Sequence, residues 1–294
     1  MSISPNILAD LQQIWRYTFM QNAIEAGTLT AIVAGVTGYF VVLRRSAFTA
    51  HAFSEIGFAG AAWAVLTGIP PLAGLLLGSN LGGLGIALLG RRATNRDTQI
   101  GIVLAFSLGL GLLFISLYSG YATQTYSILF GEILGVSNGQ VLETLAASVA
   151  ILVGIGAIYR PLLFSSLDED VAEAKGMPML SLGIVFMVIV AVAVSFAVQV
   201  TGVLLIFSLM VTPAATAQYI ASKPSRAIAA SVIIALLATW IGLFFSFYTP
   251  YPVSFFITGE VFALYLLVRF LYARFRWERM SQGSLLRDPA DRSG

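Results

Sequence analysis

The chain contains 294 residues, of which 58% are hydrophobic and only 10% are charged, with a net charge of +2. Soluble domains have about 25% charged residues, so the composition excludes a soluble domain, and the balanced charge excludes recognition of nucleic acid through a basic surface. The lack of cysteine excludes disulfide frameworks and thiol catalysis, and a single histidine excludes most histidine-rich metal sites. An all-α polytopic membrane protein is the class that remains.

Apolar runs of about 20 residues, separated by helix breakers, predict about nine transmembrane helices. Their approximate bounds are 23–42, 47–69, 71–90, 99–118, 141–159, 180–199, 203–221, 227–247 and 253–272. Prolines mark several of the ends, for example Pro161 and Pro178. The spans together predict one transmembrane domain over 1–276, followed by a polar, loosely ordered cytosolic tail at 277–294.

Two segments outside the spans carry predictions of their own. Residues 7–15 have apolar side chains at helical spacing, which predicts an interfacial helix leading into the first span. The segment 124–137 is too short and too polar to cross the membrane. We expect a re-entrant or interfacial hairpin there, buried in protein or lining water.

The distribution of basic residues predicts the orientation of the chain. With nine spans and the N-terminus outside, every lysine and arginine except Arg16 falls on the cytosolic side. Cytosolic loops carry an excess of these residues, so we expect an external N-terminus and a cytosolic C-terminus in the cytoplasmic (inner) membrane. Eight or ten spans would put the two halves on opposite sides and remove this asymmetry.

One cluster of polar residues lies inside a predicted span, in the sequence SAFTAHAFSEIGFAGAA at 46–62. His51 and Glu55 are four residues apart and therefore share one helical face. An imidazole and a carboxylate together suit a divalent transition metal. The alternative is that the two side chains hydrogen-bond each other as a buried polar plug, and the sequence leaves both interpretations open. Two further acids, Glu25 and Glu260, are expected near water at outer span ends.

A cytosolic stretch, LLFSSLDEDVAEAKGMP at 162–178, predicts a short capped helix over about 168–176. Ser166 or Asp168 can cap its start, acids occupy its first turn, and Gly176 caps its end. Its acidic face would be repelled by anionic lipid, which favours a protein partner over an interfacial helix. The candidate contact residues are Asp168, Glu169, Asp170, Glu173 and Gly176.

Two features of the spans have alternative explanations. Thr212 and Pro213 interrupt an otherwise helical run, where a proline frees backbone carbonyls that could line a polar path or merely kink the helix for packing. The abundant glycines in the spans, such as Gly74 and Gly78, favour close helix packing over hinges of a moving helix.

These motifs resemble the membrane permeases of metal-ion ABC importers, a family that transports zinc, manganese or iron delivered by a binding protein. The resemblance is carried by AFTAHAFSEIGFAGA in the second span, RDTQIGIVLAFSLGLG at 96–111 and YSILFGEILGVS at 126–137. It continues with LDEDVAEAKGM at 167–177, VTGVLLIFSLMVTPAATA at 200–217 and PYPVSFFITG at 250–259. Each motif is weak alone, whereas their order and spacing together are specific.

The resemblance implies a type II, cobalamin-importer-like ABC permease fold, in which two permease copies form a homodimer around a central pathway. It also implies ABC ATPase subunits on the cytosolic side and a metal-binding protein on the extracellular or periplasmic side. The helix at 168–176 matches the position of the family's coupling helix, which contacts the ATPase. Many members carry an aspartate four residues before the histidine, where this chain has Ala47. Glu55, one turn after His51, is expected to replace it.

The function predicted from the resemblance is that of the permease subunit of an ATP-driven importer for zinc, manganese or iron, with no tightly bound cofactor. The chain contains no Walker motif GxxxxGK[ST], so we do not expect it to hydrolyse ATP or to act as an enzyme. The alternative is an ion-coupled secondary transporter, which usually has two homologous halves, and no half-repeat is evident. The sequence does not specify which metal is carried.

Overall fold

The computed structural model describes residues 15–88, 96–118, 131 and 133–285. Over this part of the chain it contains ten α-helices, one 3₁₀ turn and no β-strand, which confirms the predicted all-α class. The helices are α1 (Thr18–Leu43), α2 (Ala47–Thr67), α3 (Pro71–Leu88), α4 (Arg96–Leu117), α5 (Asn138–Leu167), α6 (Glu169–Ala174), α7 (Met179–Thr201), α8 (Val203–Ile220), α9 (Pro224–Tyr248) and α10 (Val253–Leu285), with the 3₁₀ turn at Ile133–Gly135. Almost all of the predicted interfacial helix at 7–15 and the first part of the predicted hairpin at 124–137 lie outside the described residues.

Seven of these helices are long and apolar enough to cross a membrane, namely α1, α4, α5, α7, α8, α9 and α10. The other two predicted spans correspond to α2 and α3. Helix α2 has 21 residues but includes His51 and Glu55, and the apolar part of α3 covers only Pro71–Ile86. The structure therefore supports a polytopic membrane protein, while the count of nine spans stays a prediction.

Two predicted helix ends differ from the structure. The predicted end of the fifth span at Pro161 is wrong, because α5 continues through this proline to Leu167. A proline removes one backbone hydrogen bond from a helix, but the turn that follows is packed in the core, where Leu162 and Ser165 are buried. At the other end of the chain α10 continues to Leu285, so residues 277–285 of the predicted loosely ordered tail are helical.

The central helix of the fold is α1, most of whose side chains are buried. It packs against α5, α7, α8 and α9, and two of its glycines set how closely the neighbouring helices approach. A Cβ built on Gly38 would collide with the Met210 carbonyl oxygen in α8, and one built on Gly35 would lie 2.7 Å from the Cα of Val232 in α9. The outer helices α4 and α10 instead expose large apolar side chains such as Phe106, which suits contact with the lipid bilayer.

Glycines also determine the contact between α2 and α3. The two helices meet at Gly60 and Gly74, where a Cβ on either residue would collide with the backbone carbonyl of the other. The Ser79 hydroxyl of α3 donates to the Phe53 carbonyl of α2 over 2.9 Å, which satisfies a polar side chain without water. The packing interpretation of the glycines therefore holds at this helix pair, whereas Gly85 has open space around it.

Replacement of Gly60 by alanine should destabilise the protein, because the added methyl group would force α2 and α3 apart. Overpacking of this kind costs about 1–3 kcal/mol, which should appear as a lower midpoint of thermal unfolding in detergent. Gly85→Ala is the matched control, since it adds the same methyl group to α3 with no neighbour within 4 Å. The control should keep its midpoint or raise it slightly, and equal midpoints for the two variants would contradict the packing role of Gly60.

Candidate functional site

The candidate metal-binding pair lies on α2, whose start is fixed by the end of α1. Only Arg44, Arg45 and Ser46 separate the two helices. The amides of Arg45 and Ser46 donate to the carbonyls of Val42 and Val41 over 3.0 and 2.8 Å. These bonds complete a Schellman-type turn with Arg45 in the left-handed region at φ 54°. The first turn of α2 therefore has a fixed direction relative to α1.

His51 is a residue of α2, and its side chain packs against α8. Its ring is half-buried and tilted by 52° against the ring of Phe207, with 4.9 Å between the two ring centroids. At a rise of about 1.5 Å per residue, Phe207 lies about 20 Å before the C-terminal end of α8. The ring contact therefore joins the first part of α2 to the first part of α8, which begins at Val203.

Glu55 follows one turn after His51 and is 5% exposed. Two atoms of the pair that could bind an ion, His51 Nδ1 and Glu55 Oε2, are buried and have no hydrogen-bond partner in the described part of the chain. The two side chains thus do not satisfy each other in the way that the alternative interpretation, a hydrogen-bonded plug, requires. An unpaired buried acceptor costs about 1–3 kcal/mol, so the pair keeps an unused capacity to bind a cation.

The candidate site offers two protein ligands, the side chains of His51 and Glu55. Among the described residues, no group of three or more His, Cys, Asp or Glu side chains lies close enough together to hold a metal ion. Closed structural metal sites have four protein ligands, whereas open sites keep positions for water or substrate. The arrangement therefore suits a weak, exchangeable site, completed by water or by a second protein copy, better than a resident metal cofactor.

Thr212 and Pro213, the candidate path-lining residues, lie on α8 about 8 Å beyond Phe207 along the helix axis. Pro213 is buried and Thr212 half-buried, and α8 continues through the proline without ending. The Thr212 carbonyl accepts a hydrogen bond of 2.8 Å from Thr216 Oγ1. The structure thus places both residues on the helix that contacts His51, without a hydrogen bond or ring contact to that histidine in the described residues.

The short helix α6 occupies the position predicted for a capped cytosolic helix. Asp168 caps its start, since its Oδ1 atom accepts the amide of Val171 over 3.0 Å, and Glu169 and Asp170 form the first turn. The chain leaves the helix at Gly176, which has φ 75°. The amides of this glycine and the following residue donate to carbonyls of the last turn over 2.9 and 3.2 Å. The structure therefore confirms both predicted caps.

Helix α6 folds back on the end of α5. Ala172 is fully buried, and the Lys175 ammonium lies 5.0 Å from the centre of the Phe164 ring, a distance at which a cation is attracted to an aromatic face. Leu167 and Val171 remain exposed by 63% and 42% beside the acidic side chains. An apolar strip next to acids is a surface suited to a protein partner.

Several contacts of this region were not visible in the sequence. Phe207 is one apolar residue among many in its span, and Arg44 indicated only the orientation of the chain. Glu260 is half-buried, and its Oε2 atom has no hydrogen-bond partner in the part of the chain that the structure describes, so its expected place near water stays a prediction. Glu25, in contrast, is exposed as expected.

The chain is similar to a transport family and to several proteins named as metal transport proteins. The profile of the ABC 3 transport family matches residues 16–273. The manganese transport system membrane protein MntC of Listeria monocytogenes is 29% identical to the chain over 81% of its residues and 85% of the relative. The manganese import system permease protein ScaB of Streptococcus gordonii is 30% identical over 90% of the chain and 94% of the relative.

Two solved structures are similar to the chain in fold. PsaBC from Streptococcus pneumoniae, in complex with Fab, has a TM-score of 0.84 and 28% identity, covering 94% of this chain and 100% of that chain. A metal-chelate type ABC transporter in an inward-facing conformation has a TM-score of 0.70 at 16% identity, covering 92% of this chain and 91% of that chain, which shows the fold alone. The family profile covers most of the chain and confirms the resemblance seen in its motifs. The chain therefore belongs to the ABC 3 transport family.

Proposed function

We propose that the chain is the permease subunit of an ATP-driven importer that moves a divalent transition metal ion across the cytoplasmic membrane. Manganese is the first candidate, because relatives aligned over most of the chain are named manganese transport proteins, and zinc and iron are the alternatives. The chain would form a homodimer of the type II fold, with nine spans in each copy. An ABC ATPase would bind inside and a metal-binding protein outside. Family membership supports this class over an ion-coupled secondary transporter.

The observation that carries the proposal is the pair of unsatisfied buried atoms on α2, His51 Nδ1 and Glu55 Oε2. Inside a membrane no bulk water compensates such atoms, and ionisable groups at that depth usually belong to a transport path. A divalent cation held between them would take the imidazole lone pair and neutralise the carboxylate. The pair would thus provide affinity at the point where the ion gives up part of its hydration shell.

A mixed nitrogen and oxygen pair is compatible with manganese, ferrous iron and zinc ions. Manganese binds most weakly of the first-row divalent ions at a given site, so two protein ligands would hold it briefly while water fills the other positions. Brief binding is what a pathway requires, because an ion that is held too tightly does not leave. We assign selectivity among these metals mainly to the external binding protein.

Helix α6 would connect this pathway to ATP hydrolysis. It is capped at both ends, and a single residue, Asp168, ends α5 and caps α6. A docked ATPase that moves α6 would therefore move α5, without loss of the displacement in a flexible linker. The candidate ATPase contacts are Asp168, Glu169, Asp170, Glu173 and Gly176.

Removal of either member of the pair should stop metal transport. His51→Ala deletes one of two ligands, and Glu55→Gln keeps the side-chain shape but deletes the charge. We expect each change to reduce uptake by at least about tenfold, since even residues that only orient metal ligands cost about 10–100-fold when changed. Uptake of radiolabelled manganese by cells that lack the native gene, normalised to the amount of inserted protein, measures the effect.

Two further variants make this experiment specific. Ser54→Ala is the matched control, because Ser54 lies on the same helix and its hydroxyl donates only to the His51 carbonyl, over 2.7 Å, so most uptake should remain. Ala47→Asp in the Glu55→Gln background should recover part of the transport, since it puts a carboxylate one turn before His51. Normal uptake by His51→Ala would contradict the metal role of the pair.

Strain at the end of α6 should uncouple ATP hydrolysis from transport. Gly176→Val forces a β-branched residue into the left-handed region, which costs about 1–2 kcal/mol, while a Cβ at this position meets nothing within 4 Å. Any effect is therefore due to the backbone and not to a collision. Asparagine tolerates this conformation. In proteoliposomes, the number of ions transported per ATP hydrolysed should therefore stay close to normal in Gly176→Asn and fall strongly in Gly176→Val. Equal ratios for the two variants would argue against α6 as the coupling contact.

The orientation of the chain can be tested with reporter fusions. Fusions at Arg92, at Asp170 and at the C-terminus should report a cytosolic location, and fusions at Gly120 and Thr249 an external one, because basic residues concentrate in cytosolic loops. An external location for Asp170 would contradict both the nine-span arrangement and the role of α6.

A further inference from the structure

The side chain of Arg44 joins three helices at the end of α1. Its Nη1 atom donates to the hydroxyl oxygens of Ser165 and Ser166 on α5 over 3.1 and 3.3 Å. Its guanidinium carbon lies 5.4 Å from the centre of the Phe186 ring on α7. Both serine hydroxyls donate to the Leu162 carbonyl, so their lone pairs are available to the arginine. The charge of Arg44 is thus held by α5 and α7.

The two serines belong to the same compact unit as α6. The Asp168 amide donates to the Phe164 carbonyl over 3.2 Å, while the Asp168 carboxylate accepts the amide of Val171 over 3.0 Å. The Lys175 ammonium, which follows the last turn of α6, contacts the Phe164 ring in the last turn of α5. A displacement of α6 therefore carries the last turn of α5, and with it both serine hydroxyls.

On the other side, Arg44 is part of the turn that sets the start of α2. The Ser46 hydroxyl donates to the Arg44 carbonyl over 3.2 Å, and the Ala50 amide donates to the Ser46 carbonyl over 3.1 Å. His51 is the next residue. A displacement of Arg44 therefore moves the first turn of α2, on which the metal-binding pair begins.

A second contact between α1 and α5 is apolar and differs in kind. The Phe40 ring meets the rings of Tyr159 and Phe186 edge-on, with centroid distances of 5.9 and 6.5 Å. Apolar contacts are not directional and keep the helices together while they slide, whereas hydrogen bonds weaken steeply when their angle changes. The bonds from Arg44 are therefore the directional link between the two helices at this end.

We propose that Arg44 is a positioning residue that transmits the movement of α6 to the His51–Glu55 pair. The proposal rests on the proposed function, because it takes α6 as the contact with the ATPase. In this scheme Arg44 touches neither the ion nor the nucleotide, and it acts by holding the turn between α1 and α2 to the end of α5. Loss of this link should separate ATP hydrolysis from metal movement while each partial activity persists.

The first experiment measures manganese uptake per ATP hydrolysed by the complete transporter in proteoliposomes. Arg44→Gln should keep assembly with the ATPase and should keep ATP hydrolysis, while uptake per ATP falls about tenfold, because hydrogen bonds to a charged group are lost. Arg44→Lys keeps the charge and one donor group, so its uptake per ATP should lie between that of the unchanged protein and that of Arg44→Gln. Arg45→Gln is the matched control, since Arg45 is exposed and forms no hydrogen bond through its side chain in the described residues, and its ratio should be unchanged.

The serine partners provide a test of the link itself. Replacing Ser165 and Ser166 together by alanine should lower uptake per ATP as far as Arg44→Gln does. Adding Arg44→Gln to the two serine changes should lower it no further, because the same bonds are already absent. Additive losses would overturn the proposal, and so would a normal ratio in Arg44→Gln.

The second experiment follows the movement without any metal. The chain contains no cysteine, so a spin label can be attached to Phe48→Cys at the start of α2 or to Leu167→Cys beside α6, both exposed positions. Labels at both positions should change mobility between the ATP-bound and ADP-bound transporter. In the Arg44→Gln background the response at Leu167→Cys should remain and the response at Phe48→Cys should disappear.

The outcomes separate the two proposals. A persistent response at Phe48→Cys in the Arg44→Gln background overturns the role of Arg44 and leaves the proposed function intact. No response at Leu167→Cys with Arg44 present overturns α6 as the ATPase contact, and the role of Arg44 with it. Expected label responses in a transporter that moves no manganese overturn the proposed cargo and support the role of Arg44.

Discussion

The rest of the structure depends on one constraint, which is that polar groups inside a membrane-embedded bundle cannot rely on water. Helix α2 carries hydroxyl, imidazole and carboxylate groups into such an interior, and hydroxyls there bond to backbone carbonyls, as Ser54 and Ser79 do at 2.7 and 2.9 Å. Close contact with α3 through glycines keeps α2 enclosed. His51 Nδ1 and Glu55 Oε2 are instead buried atoms with no hydrogen-bond partner in the described residues, and they lie one turn apart on the same helix.

The same need for close contact explains the position of α1. Gly38 allows the Met210 carbonyl to approach the helix backbone in the turn before Pro213, where a proline leaves one helical hydrogen bond unmade. This approach draws α8 against α1 and so brings Phe207 over His51 at 4.9 Å. One central helix, α1, thus packs against α8, which contacts the candidate site, and against α5, whose end leads into the short helix α6.

Local motifs in the sequence predicted local structure well, but they did not predict contacts between residues that are far apart in the chain. The caps at Asp168 and Gly176 could be predicted because capping is decided within a few residues. The predicted helix end at Pro161 is wrong, because burial of the following turn offsets the lost hydrogen bond, and this burial depends on contacts with other helices. The bond from Arg44 to Ser165 spans 121 residues, and a single sequence holds no signal for it. The four-residue spacing of His51 and Glu55 was visible, whereas the unsatisfied state of their atoms required coordinates.

The spacing of this pair limits how an ion can be released in the proposed cycle. His51 and Glu55 lie one turn apart on a single helix, so a rigid movement of α2 leaves the distance between them unchanged. Release therefore needs a change on the facing side, where Phe207 covers the imidazole. In the proposed cycle, separation of α2 from α8 would let water reach both ligands, and the rehydrated ion would no longer be held by two ligands alone. A turn that is fixed at Arg44 moves α2 as a unit, which is the movement that this geometry requires.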